Sequence, residues 1–418
     1  MPPYRRALAT ICVFAPLVYI YWWRFTAIDT SGSRSGLSVG EDVLNRTLGF
    51  SKIFVINLPS RSDRRDSMAR AGAVSNLTFT WIDGVAADQA PDRVAPVSKG
   101  GRSSGAKASW ISHMNALRVV VRENLRSALI MEDDVDWDVR IKSQLQTFAS
   151  ASRTWLKASE SDTRQKELLD FVPPSLLMKR AAANVLVGDP AKDTIRLDSA
   201  AEVDSKVHQT VYGDNWDVLW LGHCGADFPS DQSPVPPLRI AIMDDETVPA
   251  PKHLKPHPFA LQDKLGEVYP PHTRVIHASS GNVCSLAYAV TYHGARKLLS
   301  EFGDRYDTQW DLMLQKWCEG KYATENKSQL DSDSEAKADA ELRGTAPVCV
   351  TVQPPLFSHY YAEGGSSDIL SQGGGYAKGT GSPYIRLSVR GNLERLASGA
   401  PESELVDQLP DDGQTIWK

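Results

Sequence analysis

Five carboxylates are crowded into residues 132–138, which read EDDVDWD and follow the apolar run ALIM. Carboxylates packed at the end of a strand repel one another, and a hard divalent cation offsets that repulsion best. Magnesium or manganese bound here would bridge to a diphosphate and neutralise it as a leaving group. A solvated acidic turn is the alternative, since that is the usual fate of a charge run. The position at the end of a strongly apolar strand favours the metal.

Basic residues and histidines offer further candidates. Arg61, Arg64 and Arg65 follow the first apolar run, where an α/β sheet holds a phosphate-bearing ligand, although a solvated helix start explains them equally well. His113 lies on an amphipathic stretch, where a structural role is the commoner one. His359 follows a late apolar run and could give manganese a nitrogen ligand, or could be a histidine of a surface loop.

A general base is suggested by the acids beside Trp310. Asp311 or Asp307 could take a proton from a hydroxyl, or could simply be an acid that the dipole favours at a helix start. The sequence contains no Ser/His/Asp triad pattern and no phosphate loop of the GxxxxGK type.

The elements that must position these side chains alternate along the chain. Strands are predicted at residues 52–58, 79–82, 127–135, 216–221 and 348–352. Helices are predicted at residues 109–125, 294–302 and 308–318. This alternation predicts a mainly parallel, three-layer α/β sheet that binds ligands at the carboxyl ends of its strands.

Composition narrows the class of protein. The 418 residues carry 46 basic and 51 acidic side chains, and this net charge of −5 argues against a nucleic-acid partner. Four of the five cysteines lie outside the apolar N-terminal run, an even number that suits two disulfides in an oxidising compartment. Cys224 with Cys284 and Cys318 with Cys349 is one of three possible pairings.

The N-terminus predicts a membrane anchor. Residues 7–23 are uncharged and mostly apolar, with arginines on both sides, which favours an uncleaved signal anchor over a cleaved signal peptide. We therefore expect a single-pass type II membrane protein of the Golgi or endoplasmic reticulum whose folded part is luminal. Sequons at Asn45, Asn76 and Asn326 fit that location.

The expected domain organisation follows from these features. A cytosolic tail and anchor occupy residues 1–24, and a stem linker occupies residues 25–49. One folded domain is expected over residues 50–390, with mobile inserts near 140–210, 227–273 and 325–345, and a C-terminal tail over residues 391–418.

The set of motifs, in their order, resembles glycosyltransferase family 25. The pieces that carry the resemblance are VINLPSRSDRR (55–65), WIDG (81–84), ASWISHMNALR (108–118), ALIMEDDVDWD (128–138), WDVLWLG (216–222), SLAYAVTYHGARKLL (285–299), Trp310-Asp311 and PPLF (354–357). Ala108 and Ser109 stand where the family carries Gly-Cys. The family includes bacterial lipooligosaccharide galactosyltransferases and procollagen galactosyltransferases.

The resemblance implies a fold and a site. The fold would be a single Rossmann-like catalytic domain of the glycosyltransferase A type. The metal ligands would be Glu132, Asp134 and Asp136, and His359 could complete the site from its position after the late apolar run. The residues that bind the nucleotide sugar would be Asn57, Leu58, Arg61, Arg64, Arg65, Asp83, His113 and Asp133. Asp311, as the base, and Asp134 would be catalytic.

The implied reaction is an inverting transfer of a hexose from UDP-galactose or another UDP-hexose, assisted by Mn²⁺ or Mg²⁺. The acceptor hydroxyl could belong to a glycan, a protein or a lipid. Two other functions remain open: a metal-dependent luminal hydrolase of phosphoesters, and a catalytically silent relative that only binds. The hydrolase would need several histidine and aspartate ligands from separate strand ends, and only nine histidines are present.

Overall fold

A computed structural model describes residues 42–90, 104–170, 193–197, 208, 210–230, 233–254, 264–322, 346–362 and 380–414. The described residues from Asp42 onward belong to one compact unit. The predicted anchor, the stem as far as residue 41, the insert at 325–345 and Asn326 lie outside the described residues. Among the helices that are described, none combines the length and the apolar character that a membrane span requires.

The described strands join into one 11-stranded sheet. The strands are β1 (Lys52–Asn57), β2 (Phe79–Asp83), β3 (Ser127–Glu132), β4 (Val135–Trp137), β5 (Thr194–Arg196), β6 (Val218–Gly222), β7 (Arg239–Ile242), β8 (Arg274–Ala278), β9 (Ala287–Thr291), β10 (Cys349–Gln353) and β11 (Phe357–His359). Along the main path the order is β2-β1-β3-β9-β6-β10-β8-β7-β5, while β11 pairs with β4 and β6.

Helices cover this sheet. They are α1 (Ser62–Val74), α2 (Ser104–Arg122), α3 (Ile141–Asp170), α4 (Leu265–Val268), α5 (Tyr292–Phe302), α6 (Trp310–Cys318) and α7 (Leu393–Ala397). Helix α2 begins at Ser104, five residues before the start that the sequence predicted at residue 109. Thr291 caps α5, where its side chain accepts a hydrogen bond from the backbone N–H of Gly294.

The sheet is mixed, so the prediction of a mainly parallel sheet was wrong. β1 runs parallel to β2 and β3, but β9 lies antiparallel between β3 and β6. β8 runs antiparallel to β7 and β10. The sequences of β8 (RVIHA) and β9 (AYAVT) are short and carry weak strand signals, and the sequence pattern left both unassigned.

The core lies between the sheet and helices α2, α5 and α6. Trp110, Met114 and Leu117 repeat along one face of α2 and are at most 1% exposed, packed with Phe54 of β1 and Ile130 of β3. Burying one such side chain contributes about 1.5–3 kcal/mol. This packing holds the N-terminal half of α2 beside the ends of β1 and β3.

Two disulfides complete the fold. Cys224, just after β6, is bonded to Cys284, which lies between β8 and β9. Cys318 at the end of α6 is bonded to Cys349 at the start of β10. This is one of the three pairings that the sequence left open.

Two expectations about the periphery do not fit the structure. The expected insert at 140–210 begins with the long helix α3, and the expected insert at 227–273 contains β7 and α4. The expected C-terminal tail is packed as far as residue 414, since Asn392 and Leu409 are each 1% exposed. Buried side chains of this kind belong to the folded domain.

Candidate functional site

Two neighbouring strand ends bring the acidic residues to an asparagine and an arginine. Because β1 and β3 are parallel and Ile56 pairs with Glu132, Asn57 lies beside Asp133. The Nδ2 of Asn57 donates to Asp133 Oδ2 at 2.7 Å. Arg64, in the first turns of α1, donates from Nη1 to Asp133 Oδ1 at 2.9 Å and to Asp134 Oδ2 at 3.0 Å. One guanidinium therefore holds two adjacent carboxylates.

These two carboxyl groups have opposite pKa shifts. Burial raises the pKa of Asp133, and the negative charge of Asp134 adds to that rise. Burial would also raise the pKa of Asp134, but the charge and hydrogen bond of His359, followed by the charge of Arg64, bring it well below its usual range. Asp134 is therefore the carboxylate that keeps its negative charge.

A pocket opens at this edge of the sheet. It contains about 670 Å³ of empty space, part of it open to solvent, and it is lined by Leu58, Arg64, His113 and Asp134 among others. Its wall is tight at Gly84, where a Cβ would lie 3.2 Å from the Leu58 nitrogen. Lining residues also include Ala108 and Ser109, the positions at which the sequence departs from the family pattern.

His359 meets Asp134 through the short strand β11. Antiparallel pairing with β4 places His359 opposite Val135, and its Nε2 lies 3.3 Å from Asp134 Oδ2. Tyr361 stacks on the imidazole at 4.1 Å between ring centroids. Asp134 Oδ1 and His359 Nδ1 are buried without a hydrogen-bond partner. A carboxylate and an imidazole are donor groups that manganese accepts, so the chemistry of these two side chains fits a metal.

The other two predicted ligands are placed elsewhere. Within the described residues, no three His, Cys, Asp or Glu side chains are grouped so that they could hold a metal ion. Asp136 is fully buried, and its Oδ1 accepts from the N–H of Trp137 and of Arg390. Its Oδ2 accepts from the hydroxyls of Ser382 and Ser388. Both oxygens are occupied by the protein, so the structure corrects the assignment of Asp136 from metal ligand to structural carboxylate.

Glu132 belongs to a different part of the site. Its Oε1 accepts from the Ser285 hydroxyl at 2.9 Å and lies 3.7 Å from His113 Nε2. The Nδ1 of His113 is 3.0 Å from the Tyr288 hydroxyl, and its ring stacks on Trp310. Glu132 therefore points toward α2 and β9, and the structure does not bring it to His359.

Asp311 lies in the first turn of α6. Its Oδ2 accepts from the backbone N–H of Cys284 at 2.8 Å. Burial raises the pKa of Asp311, and the charge of Glu132 raises it as well. A carboxylate with a raised pKa is a stronger proton acceptor than an ordinary aspartate, as a general base requires.

Four predicted nucleotide-binding residues lie outside the pocket lining, namely Asn57, Arg61, Arg65 and Asp83. Arg61 makes a paired contact with Asp63, with N–O distances of 2.9 and 2.8 Å. The guanidinium of Arg65 stacks on Trp81 at 4.4 Å, and Asp83 is exposed at the end of β2. Of the predicted set, Arg64, Leu58, His113 and Asp133 line the pocket, and Asn57 supports it from behind.

Sequence reasoning missed Ser285, Tyr288 and Arg390. Ser285 and Tyr288 lie in SLAYAV, a segment noted only for its resemblance. The Nη2 of Arg390 donates to the backbone oxygen of Asp133 at 2.6 Å across 257 positions of sequence. No spacing rule links residues so far apart.

Comparison with known proteins bears on the same region. The model of glycosyltransferase family 25 (LPS biosynthesis protein) matches residues 50–185. The chain is 30% identical over 112 residues to procollagen galactosyltransferase 1 of Danio rerio, which is 24% of this chain and 18% of that protein. It is 27% identical over 111 residues to procollagen galactosyltransferase 2 of Homo sapiens, which is 23% of this chain and 18% of that protein.

The resemblance to family 25 is thereby confirmed over residues 50–185. The chain spans about a fifth of the length of these curated relatives, 18% in each case. The matched stretch contains β1, α1, α2 and the whole acidic run at 132–138. Asp311, His359 and Arg390 lie beyond it.

Proposed function

We propose that this chain is a metal-dependent, inverting glycosyltransferase that moves a hexose, galactose in the first instance, from a UDP-sugar to an acceptor hydroxyl. The observation that carries the proposal is the pair Asp133 and Asp134, which Asn57 and Arg64 hold at the edge of the pocket. These four residues lie inside the stretch that matches a glycosyltransferase family, and relatives that share 111–112 aligned residues with the chain are named as galactosyltransferases.

The donor would occupy the pocket between the ends of β1 and β3 and the N-terminal half of α2. Arg64 is the positive group on its wall, and it can turn from the carboxylates toward a diphosphate. Asp134 and His359 would hold the divalent cation, which supplies positive charge to the departing nucleotide. His113, fixed by Tyr288 and Trp310, gives the pocket a rigid aromatic side.

Inversion requires one base on the acceptor side. Asp311 suits this role because its pKa is raised, so that it takes up a proton more readily than an ordinary aspartate. Its backbone partner Cys284 is fixed by the disulfide to Cys224, which keeps the carboxylate in place. The attacking hydroxyl would give its proton to Asp311 as its oxygen bonds to the anomeric carbon, and the bond from that carbon to the phosphate oxygen would break, so that UDP leaves with the electron pair.

Membrane attachment through residues 7–23 and a luminal location remain part of this proposal. The two disulfides of the fold support an oxidising compartment. A glycan, a protein or a lipid could supply the acceptor hydroxyl.

The test combines ligand binding with turnover. Thermal stability is measured with UDP, with Mn²⁺ and with both, and stabilisation that needs both supports the transferase. Transfer of labelled sugar from UDP-hexoses is then compared between the wild type and Asp134→Asn. We expect the variant to lose activity by at least about a hundredfold, because it removes the charge that holds the cation.

Asp412→Asn is the matched control, since Asp412 is exposed near the C-terminal end of the described chain. Stabilisation by metal alone, with release of phosphate from a phosphoester, would instead indicate the hydrolase. Equal and negligible transfer by the wild type and Asp134→Asn with every UDP-hexose would contradict the proposal.

A further inference from the structure

A cation is buried directly behind the acidic run. The side chain of Arg390 is only 9% exposed, and its Nη2 donates to the backbone oxygen of Asp133 at 2.6 Å. Its guanidinium lies 5.3 Å from the ring of Tyr360. Burying a charge costs several kcal/mol unless neighbouring groups compensate it, so this position needs an explanation.

Carboxylates provide the compensation. Burial lowers the pKa of Arg390, and the negative charges of Asp136, Asp134 and Asp133 oppose that effect. Arg64 approaches Asp133 and Asp134 from the pocket side, whereas Arg390 reaches the backbone of Asp133. The two adjacent acids therefore lie between two arginines, and one of these arginines does not line the pocket.

The chain around Arg390 is itself fixed to the acidic run. Its backbone N–H donates to Asp136 Oδ1 at 3.1 Å, and the hydroxyls of Ser382 and Ser388 donate to Asp136 Oδ2. The N–H of Leu387 donates to Asp138 Oδ2 at 2.9 Å. We call residues 380–414 the C-terminal segment. Its contacts with Asp136 and Asp138 determine where Arg390 can place its side chain.

We propose that Arg390 is a positioning residue, which holds the turn at Asp133 and Asp134 in the orientation that the donor diphosphate and its cation require. By fixing the backbone oxygen of Asp133, it directs the Asp134 carboxylate toward His359 and Arg64 before any ligand arrives. Its charge also offsets the repulsion between the two adjacent carboxylates. The proposal rests on the function proposed above, and it gives Arg390 of the C-terminal segment a supporting role at the donor site.

The first test compares Arg390→Met, Arg390→Lys and Arg386→Met with the wild type. Methionine keeps an unbranched side chain and removes the charge and the donors. Arg386 is the matched control because it belongs to the same segment but pairs with Asp407, at 2.7 Å. Calorimetry measures binding of UDP in the presence of Mn²⁺, at a temperature at which circular dichroism shows each variant folded.

We expect Arg390→Met to weaken UDP binding by about tenfold or more, as the loss of a hydrogen bond from a charged donor predicts. Arg390→Lys should recover part of this loss, because it keeps the charge but not the planar group. Arg386→Met should bind within about twofold of the wild type, since Arg386 pairs with Asp407 and donates to the backbone oxygen of Glu246 rather than to the acidic run.

A second readout needs neither ligand nor activity. The N–H of Tyr360 donates to the backbone oxygen of Asp134 at 2.8 Å, so its hydrogen exchange reports whether the turn is in place. In the ligand-free protein we expect faster exchange of this amide in Arg390→Met and unchanged exchange in Arg386→Met.

The outcomes separate the two proposals. If the wild type does not bind UDP with Mn²⁺, the proposed function fails, and the exchange of Tyr360 still decides whether Arg390 positions the turn. Wild-type binding and exchange in a folded Arg390→Met overturn the inference. An equal loss in Arg390→Met and Arg386→Met also overturns it, because that would be a general effect on the segment. If Arg390→Met does not fold, Arg390→Lys decides: faster Tyr360 exchange with weaker UDP binding supports the inference, and wild-type values overturn it.

Discussion

Replacing Asp136 tests whether this residue is a structural carboxylate or a metal ligand. The side chain accepts four hydrogen bonds, from the N–H of Trp137 and Arg390 and from the hydroxyls of Ser382 and Ser388. Asp136→Ala would leave these donors without an acceptor and would remove a charge that compensates Arg390. Breaking a buried charged contact of this kind costs about 3–5 kcal/mol, so we expect a loss of that size in the free energy of unfolding.

Asp136→Asn should be milder. One side-chain oxygen can still accept two bonds, and the two serine hydroxyls can rotate to accept from the new amide group. The charge is lost, however, so we expect a decrease of about 1–3 kcal/mol in the free energy of unfolding. Because burial already raises the pKa of Asp136, removing its charge also removes part of a desolvation cost, which favours the lower end of that range.

Urea unfolding, followed by circular dichroism, measures the free energy of unfolding of both variants. Calorimetry measures the binding of Mn²⁺ and UDP to the asparagine variant, at a temperature at which this variant is folded. A structural carboxylate predicts reduced stability with binding within about threefold of the wild type, since asparagine keeps an oxygen that can accept from the Arg390 N–H and Asp136 does not line the pocket. Wild-type stability together with lost binding of Mn²⁺ would refute this reasoning and would restore Asp136 as a metal ligand.

Three further predictions concern pH and the disulfides. Burial lowers the pKa of His223 to about 4 and that of His277 to about 3, from 6.5, so only the unfolded chain takes up these protons as the pH falls below 6.5. The free energy of unfolding should therefore fall by about 3 kcal/mol between pH 6.5 and 4 because of His223, a loss that His223→Gln should remove in urea titrations. Asp311→Asn should abolish transfer while leaving UDP affinity intact. In the wild type, the acidic limb of the pH profile of kcat/KM should lie above the ordinary aspartate pKa of 3.8. If Asp311→Asn remains active and its acidic limb lies at the same pH as that of the wild type, Asp311 is not the base. Replacing Cys318 and Cys349 by serine opens a loop of 31 positions and should cost about 3–4 kcal/mol of unfolding free energy, whereas unaltered urea unfolding would show that the bond does not stabilise the fold.

Local patterns predicted much of the framework. The apolar run of β1, the periodic face of α2 and the apolar β3 each carry a signal within one element, and all three appear where the sequence placed them to within a few residues. β8 and β9 were missed because their short sequences acquire strand structure only from neighbours in the sheet. Tertiary pairing decided their direction, and with it the mixed character of the sheet.

The candidate site likewise combines residues that local patterns predicted with residues that no local pattern indicated. Arg64, Asp133, Asp134 and His359 were predicted from their positions after apolar runs, and the structure brings them together. The role of Asp136 was not predictable, because strand alternation does not continue through the turn at Asp133 and Asp134. Its partners also come from the far end of the chain, where nothing in the local sequence indicates a contact.

The hydrogen bond between Arg390 and the backbone of Asp133 spans 257 positions, and that separation has a consequence for folding during synthesis. At synthesis rates of about 5–20 residues per second, the acidic run leaves the ribosome roughly 10–50 s before the arginine that steadies it. During that interval the adjacent carboxylates lack one of the two arginines that compensate their charge. Closing such a distant contact is slow compared with forming β1, α2 and β3, so this part of the domain is expected to mature last.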